Sequence, residues 1–530
     1  MHRPGQAANT DPFNLGAGTS NSPSMPPTSP MTSTTSTPPA PESAFQTQPL
    51  SPDIQAGSAL VTAATTDSPL SEEEQVALVA AIRRDAVARF RPTFESSPSP
   101  IRAMARLVRE VQDEARKAGV AEQVLNREVI NCTIGDVNVR LITEKMNGID
   151  FSTIGEELGL ILPGEKIAGR ISTGEVYHEM HRREEEIERR LLTEYNWDIR
   201  NYDVYGVGNP LLRDLLASRF EKQWGIPTSA DRTYVSIGAL DALYKIILSL
   251  GWHFRQKYST PPTFAFPAPG FAVVNWQVRM SGVNLLPVNT TRESNFKVTP
   301  DQLKAALMAD PQLRLLYFTV SNNPTAFSYS PQEIEEIYRV IVEDGRELAV
   351  LADLAYIGTG PVELDRARMQ AFNKPHILER TLFVNSLSKV FTLTGDRCGW
   401  VSLHNPEWAE VLRVAWNNVT AGLPAQWQLR FAAYIQWFDE HPQIQEKIRA
   451  LYDLRREHLR KKLQELNEQY DLFVEIGLDD HTTIYNWSRL KPGEDALSLF
   501  EKTGLAGVSG RAFGYTDDYI RFSVGFFPIQ

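Results

Sequence analysis

With 530 residues, 42% of them apolar, the chain has the length for two ordinary domains plus extensions and the side chains to fill their cores. Its 54 basic and 65 acidic residues give a net charge of −11 spread along the length, which favours solubility and excludes an electrostatic footprint for nucleic acid. Cys132 and Cys398 are its 2 cysteines, so no disulfide framework is available, and both read as reduced cytoplasmic thiols.

The opening MHRPGQAANT carries no apolar stretch of the kind a secretory signal requires. No later segment reaches the roughly 18 uninterrupted apolar residues of a membrane span, so a cytoplasmic protein without a membrane partner is expected. Residues 1–70 are rich in Pro, Ser, Thr and Ala, a composition that cannot bury enough apolar area to offset the entropy of ordering it, and a disordered tail is predicted. The near absence of arginine argues against a transit peptide.

From Pro69, SPLSEEEQVALVAAIRRDAVARF offers a Ser cap, an acidic first turn and apolar positions at helical spacing, and IRAMARLVREVQDEARKAG repeats the pattern. Short β-branched or aromatic runs then alternate with amphipathic helices. The runs are REVINCTIG, RTYVSIGAL, TFAFPAPGF, NLLPVN, LRLLYFTV, ELAVLADLAY and RTLFVNSLSK; the helices include ALDALYKIILSLGWHF, TPDQLKAALMAD and SPQEIEEIYRVIVEDG. Strand–helix–strand repetition predicts an α/β fold with a mainly parallel sheet covered on both faces, because parallel strands need crossover helices. After residue 425 come a long helical stretch and the strand-rich runs DLFVEIG, TTIYNW and YIRFSVGF, which read as a smaller α+β domain. The expected division is tail 1–70, N-terminal helices and the first part of the small domain 71–200, large domain 201–425 and C-terminal small domain 426–530.

The stretch NSLSKVFTLTGDRCGW carries the most chemistry. It follows an apolar strand, so it begins at the carboxyl edge of a sheet, where open α/β folds bind ligands. Lys389, with Ser386 and Ser388 before it and Arg397 eight residues after, matches SxSKxxxxxGxR. A partly desolvated lysine has a lowered amine pKa and can form a Schiff base, while an arginine and hydroxyls nearby can hold a phosphate. An isolated SxSK reads as a surface lysine; the other motifs reverse that reading. They are LADLAYIGTG, SNNPTA, the turn from VSIG into ALDALYKII, PAPGFAVVNW, GRAFGYTDDYIRFSVGF, INCTIGD and NYDVYGVGNPLLRDLLASRF.

In this order and spacing the motifs resemble the fold-type I pyridoxal 5'-phosphate (PLP) enzymes of the class I/II aminotransferase family, over roughly residues 125–525. The resemblance implies PLP held as an imine on Lys389. It implies that Asp353 meets the pyridine nitrogen, that Tyr356 and Asn323 meet the ring's 3-oxygen, and that Phe271 stacks on the ring. Gly238, Ala239 and Leu240, with Ser386, Ser388 and Arg397, are implied to cradle the phosphate at a helix N-terminus. Arg521, after the Gly510–Phe513–Gly514 turn, and Gly135 are implied to bind the substrate carboxylate, with Asn323 also among the substrate contacts; a guanidinium presents a planar fork that lysine cannot copy. Three departures stand out: Ala326 replaces the glycine of the NPTG turn, G-D-V replaces G-x-P after Gly135, and neither Tyr202 nor Tyr205 keeps the spacing to Gly208, Leu212 and Arg213 by which one subunit reaches its neighbour's phosphate. The implied enzyme is a homodimer with shared active sites that moves an amino group between an L-amino acid and a 2-oxo acid. Lys389 is its acid–base catalyst, with Asp353 and Tyr356 in supporting roles.

Other signals are weaker. His178 and His181 form an H-x-x-H on a charged helix and, lacking a third ligand, read as a solvated face, so no metal is expected. LRREHLRKKLQ reads as an exposed helix face, and Asp479, Asp480 and His481 lie together in a turn-like stretch. A PLP lyase, decarboxylase or oxidase is the alternative reading. A ligand-sensing module in a transcription regulator would need a basic recognition helix, which the N-terminal segment lacks.

Overall fold

Ser71 and Glu74 cap the first helix reciprocally: Glu74 N–H donates to Ser71 Oγ (3.3 Å) and Ser71 N–H to Glu74 Oε2 (2.8 Å). That helix, α1 (Glu72–Phe94), lies with α2 (Pro100–Lys117) and α3 (Glu122–Glu128) on a shared apolar core that includes Val79, Leu107, Val111 and Leu125. The structure, a computed structural model, describes residues 70–94, 97, 99–136, 175–477 and 482–529. Residues 1–69 of the predicted tail, and Asp479, Asp480 and His481, lie outside the described residues.

The chain continues through β1 (Ile130–Asn131), α4 (Glu175–Glu194) and α5 (Pro210–Trp224). It then alternates β2 (Thr233–Ile237), α6 (Gly238–Tyr258), β3 (Thr263–Ala268), α7 (Val273–Met280), β4 (Asn284–Asn289) and α8 (Pro300–Ala309). Next come β5 (Leu313–Thr319), α9 (Pro331–Asp344), β6 (Ala349–Asp353), α10 (Val362–Gln370), α11 (Pro375–Leu378), β7 (Thr381–Ser386), β8 (Cys398–Leu403) and α12 (Pro406–Thr420). Helix α9 shows why the boundaries fall where they do. Ser330 and Glu333 form a capping box, Pro331 opens the first turn, and left-handed Gly345 ends the helix.

The seven strands form one sheet in the order β2-β8-β7-β6-β5-β3-β4. It is mainly parallel, as expected; β8, absent from the predicted runs, enters antiparallel between β2 and β7. Strands β5, β6 and β7 are buried along their whole length. Their alternating side chains feed two cores: Leu316, Phe318, Val350, Ala352 and Phe383 on one face, Leu315, Tyr317, Leu351, Leu382 and Val384 on the other. Helices α8 and α9 supply Leu303 and Ile337 to the first face; α6 and α12 supply Ile246 and Trp416 to the second.

Two long helices follow, α13 (Ala425–Glu440) and α14 (Gln443–Tyr470), then β9 (Phe473–Glu475), β10 (Tyr485–Leu490), α15 (Ala496–Thr503), β11 (Leu505–Ala506), β12 (Val508–Ser509) and β13 (Tyr519–Ser523). The antiparallel sheet has the order β12-β13-β10-β9, and β1 pairs in parallel with β11, so segments from both ends of the described chain build this part. One expectation is overturned in α14: Arg455 and Arg456 are buried, not exposed, because their Nη1 groups donate to the carbonyls of Gly525 and Thr483. Among the described residues no helix is long and apolar enough to cross a membrane.

Candidate active site

Strand register gathers the motifs at one edge of the large sheet. Asp353 ends β6 beside Thr319 of β5 and Val384 of β7. Two residues further along β7, Ser386 stands beside Gly399 of β8, itself beside Ser236 of β2. This is the carboxyl end of the parallel strands, where crossover connections leave a crevice.

Lys389 lies in the turn after β7. Its Nζ donates to the carbonyl of Gly135, and the carbonyl of Lys389 accepts from Tyr452 Oη at 2.5 Å. Burial holds the amine below the usual lysine range; the positive charges of Arg521 and Arg397 act in the same direction, and Tyr485 and Asp136 oppose them. Thr394 Oγ1 donates to Asp136 Oδ1, tying Asp136 to the lysine loop.

At the loop's far end Leu387 N–H donates to Cys398 O (3.0 Å), which closes the loop and sets Arg397 across from the start of α6. Gly238 opens that helix with φ +75°, and a Cβ there would fall 2.5 Å from Arg397 Nη2. Ser386 Oγ donates to Ser388 Oγ (2.8 Å) and accepts from Ser388 N–H (3.0 Å). Ala239 is half-buried against the α6 core, and Leu240 offers its carbonyl to Gln277 Nε2 (2.9 Å). The free N–H groups of this first turn, a guanidinium and two hydroxyls make a cradle for a dianion.

Asp353 is buried, which raises its carboxyl above the usual range; hydrogen bonds from Tyr317 Oη to Oδ2 (2.7 Å) and from Ala355 N–H to Oδ1 (3.0 Å) pull the other way. Tyr356 Oη donates to Tyr485 Oη at 3.0 Å, and its phenol is held well above 10, first by burial and then by Tyr485. Phe271, half-buried before α7, packs against the second core without entering it.

Arg521, expected to bind a carboxylate, is held among several partners. Its strand β13 lies inside the small sheet, between β12 and β10, so this is not the solvated group an edge arginine would be. Nη1 donates to Asn323 Oδ1 (3.1 Å) and Nη2 to Thr133 O (2.7 Å), while Cζ sits 4.4 Å from the ring centre of Tyr485 and 4.9 Å from that of Phe513. Nε is buried without a hydrogen-bond partner. Asn323 occupies a tight turn in which Ala326 N–H donates to Asn322 O (3.0 Å) and Ala326 adopts φ +64°. The alanine therefore keeps the turn that glycine would make, at about 1 kcal/mol of backbone strain.

Tyr202 and Tyr205 are exposed, and Arg213 turns inward, its Nε donating to the carbonyls of Ala230 (2.9 Å) and Thr233 (3.0 Å). His181 faces Glu184 at 3.4 Å. Among the described residues the one set with metal-ligand spacing is His253, Glu347 and Glu407, and the Lys257 ammonium already contacts both carboxylates (2.9 and 3.1 Å). Tyr317, Tyr452, Tyr485 and Thr133 join the contacts of the site without any motif that marks them. Tyr317 had a usable signal, since a tyrosine in the otherwise apolar run LRLLYFTV needs a buried partner for its hydroxyl.

The model of the family described as aminotransferase class I and II matches residues 196–526. The chain belongs to this family. An aromatic-amino-acid aminotransferase 2 of Thermococcus litoralis is 27% identical over 322 residues, covering 59% of this chain and 76% of that one. An asparagine–oxo-acid transaminase of Streptococcus mutans is 24% identical over 324 residues, covering 58% and 75%. Among solved structures, aspartate aminotransferase from Thermus thermophilus with maleate superposes with a TM-score of 0.56 at 19% identity, covering 81% of this chain and 93% of that one.

PLP is the cofactor of the class I/II aminotransferases, and the residues present here fit it. A buried amine, a buried carboxylate and a guanidinium facing a helix N-terminus supply one group each for an aldehyde, a protonated ring nitrogen and a phosphate. Gly238 leaves no room for a side chain beside Arg397. Gly238→Ala is expected to weaken PLP binding about tenfold or more, since the new methyl meets Arg397 and φ +75° strains any L side chain. Equilibrium dialysis of the apoprotein measures it, with unchanged circular dichroism showing that the fold is intact.

Proposed function

We propose that this chain transfers an amino group between an L-amino acid and a 2-oxo acid, with Lys389 as the cofactor anchor and proton carrier. The observation that carries the reading is Lys389, its Nζ bonded to the carbonyl of Gly135, in a loop that closes beside Arg397 where that guanidinium faces the first turn of α6. When bound, PLP supplies an electron-withdrawing ring that makes a Cα–H bond acidic. Lys389, neutral at lower pH than an exposed lysine, would take that proton and give it back at the cofactor carbon on the other side of the transferred nitrogen.

Arg521 fixes the substrate carboxylate, its guanidinium already braced by Asn323, Thr133 and two aromatic rings. Asp353, aimed by Tyr317 and Ala355, keeps a proton on the ring nitrogen. With Asn323 Oδ1 committed to Arg521, a contact to the ring's oxygen falls to its amide N–H and to Tyr356. Gly135, Phe271 and the 238–240 turn complete the substrate and cofactor contacts proposed for this site.

We further propose a homodimer in the cytoplasm. Exposed Val273, Trp276 and Met280 recur on one face of α7, and Tyr202, Val204 and Tyr205 form a second exposed apolar set. The division into a large domain carrying β2–β8 and a small one carrying the antiparallel sheet stands as part of this proposal.

The test is to mix purified, PLP-loaded protein with single L-amino acids and follow the visible absorbance. Transfer requires stoichiometric 2-oxo acid with the aminated cofactor retained, and recovery of the original band on adding a different 2-oxo acid. Oxo-acid release that continues without an acceptor would select a lyase or oxidase, and carbon dioxide release a decarboxylase.

A further inference from the structure

We infer that Tyr485, unmarked by any motif, is a positioning residue that couples the carboxylate end of the site to the ring end; the inference rests on the function proposed above. Register sets the geometry. Tyr485 pairs with Ser523 and Trp487 with Arg521 across β10 and β13, so Tyr485, Trp487 and Arg521 share one face of the small sheet.

The ring of Tyr485 serves Arg521. With Nε buried and unpartnered, the guanidinium's charge is met by the faces of Tyr485 and Phe513. The hydroxyl serves the other end. It accepts from Tyr356 Oη at 3.0 Å with the two rings edge to face, 5.5 Å apart. It also explains Gly135, whose backbone is not left-handed and which conformation alone would not reserve for glycine. A Cβ at Gly135 would lie 2.2 Å from Tyr485 Oη, so the hydroxyl occupies that space, and the carbonyl of the same glycine receives Lys389 Nζ.

A tyrosine that only filled the core would be replaceable by phenylalanine; a buried hydroxyl costs free energy unless it is bonded. Tyr356 has one proton. To give it to a ligand oxygen it must release Tyr485 Oη, whose own proton can then turn to donate to Tyr356 Oη. The pair then makes Tyr356 a stronger donor, holds the ligand's ring oxygen anionic, and lets the lysine–cofactor linkage lose its proton at lower pH.

The experiment is a pH titration of the visible band of PLP-loaded wild type, Tyr485→Phe and Tyr485→Leu, with KM for the L-amino acid that wild type deaminates fastest. Removing the hydroxyl alone is expected to raise the titration midpoint by about half a unit to one unit, the worth of one neutral hydrogen bond, with KM within about threefold of wild type. Removing the ring as well is expected to give the same midpoint shift and a KM about tenfold higher. If wild type forms a titrating band and Tyr485→Phe matches its midpoint, the positioning role is overturned while the proposed function stands. A wild type that forms no band overturns the proposed function itself. Phenylalanine preserves the ring and the packing, so a folding defect does not obscure the result.

Discussion

Lys389→Ala is expected to abolish the cofactor's visible band and to lower the rate of amino transfer by at least about 10³-fold, the upper range of what a positioned acid–base group contributes. PLP should still bind, because the substitution leaves Arg397, Gly238, Ser386 and Ser388 in place. The loss therefore falls on kcat rather than on cofactor occupancy. The visible spectrum of the PLP-loaded variant without added amine tests the anchor, where an unchanged band would refute it, and rapid mixing with a donor amino acid measures the loss in rate.

The same residue sets a pH dependence whose sign follows from its burial. Desolvation disfavours the ammonium form, so the amine loses its proton below the lysine value of 10.5, and apoprotein captures the aldehyde readily at pH values where an exposed lysine is almost fully protonated. A folded-state pKa below the unfolded one also means that protonation favours the unfolded chain at pH below about 10.5. The alanine variant removes that penalty, so its apoprotein should unfold no more readily than wild type near neutrality. A loss of activity without a loss of stability separates chemistry from folding.

Legibility in the sequence divided along a physical line. Local signals were readable: the strand runs, the helix after TPDQ with its Thr299 cap, and the spacing from Lys389 to Arg397 depend on residues close together in the chain. The strand CGWVSL was not read. It follows the arginine motif directly, has glycine at its second position, and is a strand because β2 and β7 flank it. Arg455 and Arg456 show the same limit, since a charged helix face looks solvated until the carbonyls that cover it, here Gly525 and Thr483, are known. In the site, Asp353 and Arg521 sit in recognisable strings, whereas Tyr317 and Tyr485 gain their partners 36 and 129 residues away. Hydroxyl pairs formed by tertiary folding leave no periodic trace.

The second large effect is expected at Arg521. Arg521→Lys keeps a positive charge yet loses the planar fork, and with it the simultaneous bonds to Asn323 Oδ1 and Thr133 O. A charge-assisted bond is worth about 1.5–3 kcal/mol, so forfeiting two-point recognition of a carboxylate should lower kcat/KM by roughly 10²–10³-fold. Because a carboxylate is held equally before and during proton transfer, the change should appear mainly in KM. A fall confined to kcat would instead place Arg521 on the reacting atoms. Coupling distinguishes the neighbours: Asn323→Ala should cost less in an Arg521→Lys background than in wild type, since the bond it removes is already gone. Strict additivity of the two would mean that Asn323 acts on the cofactor and not through the arginine.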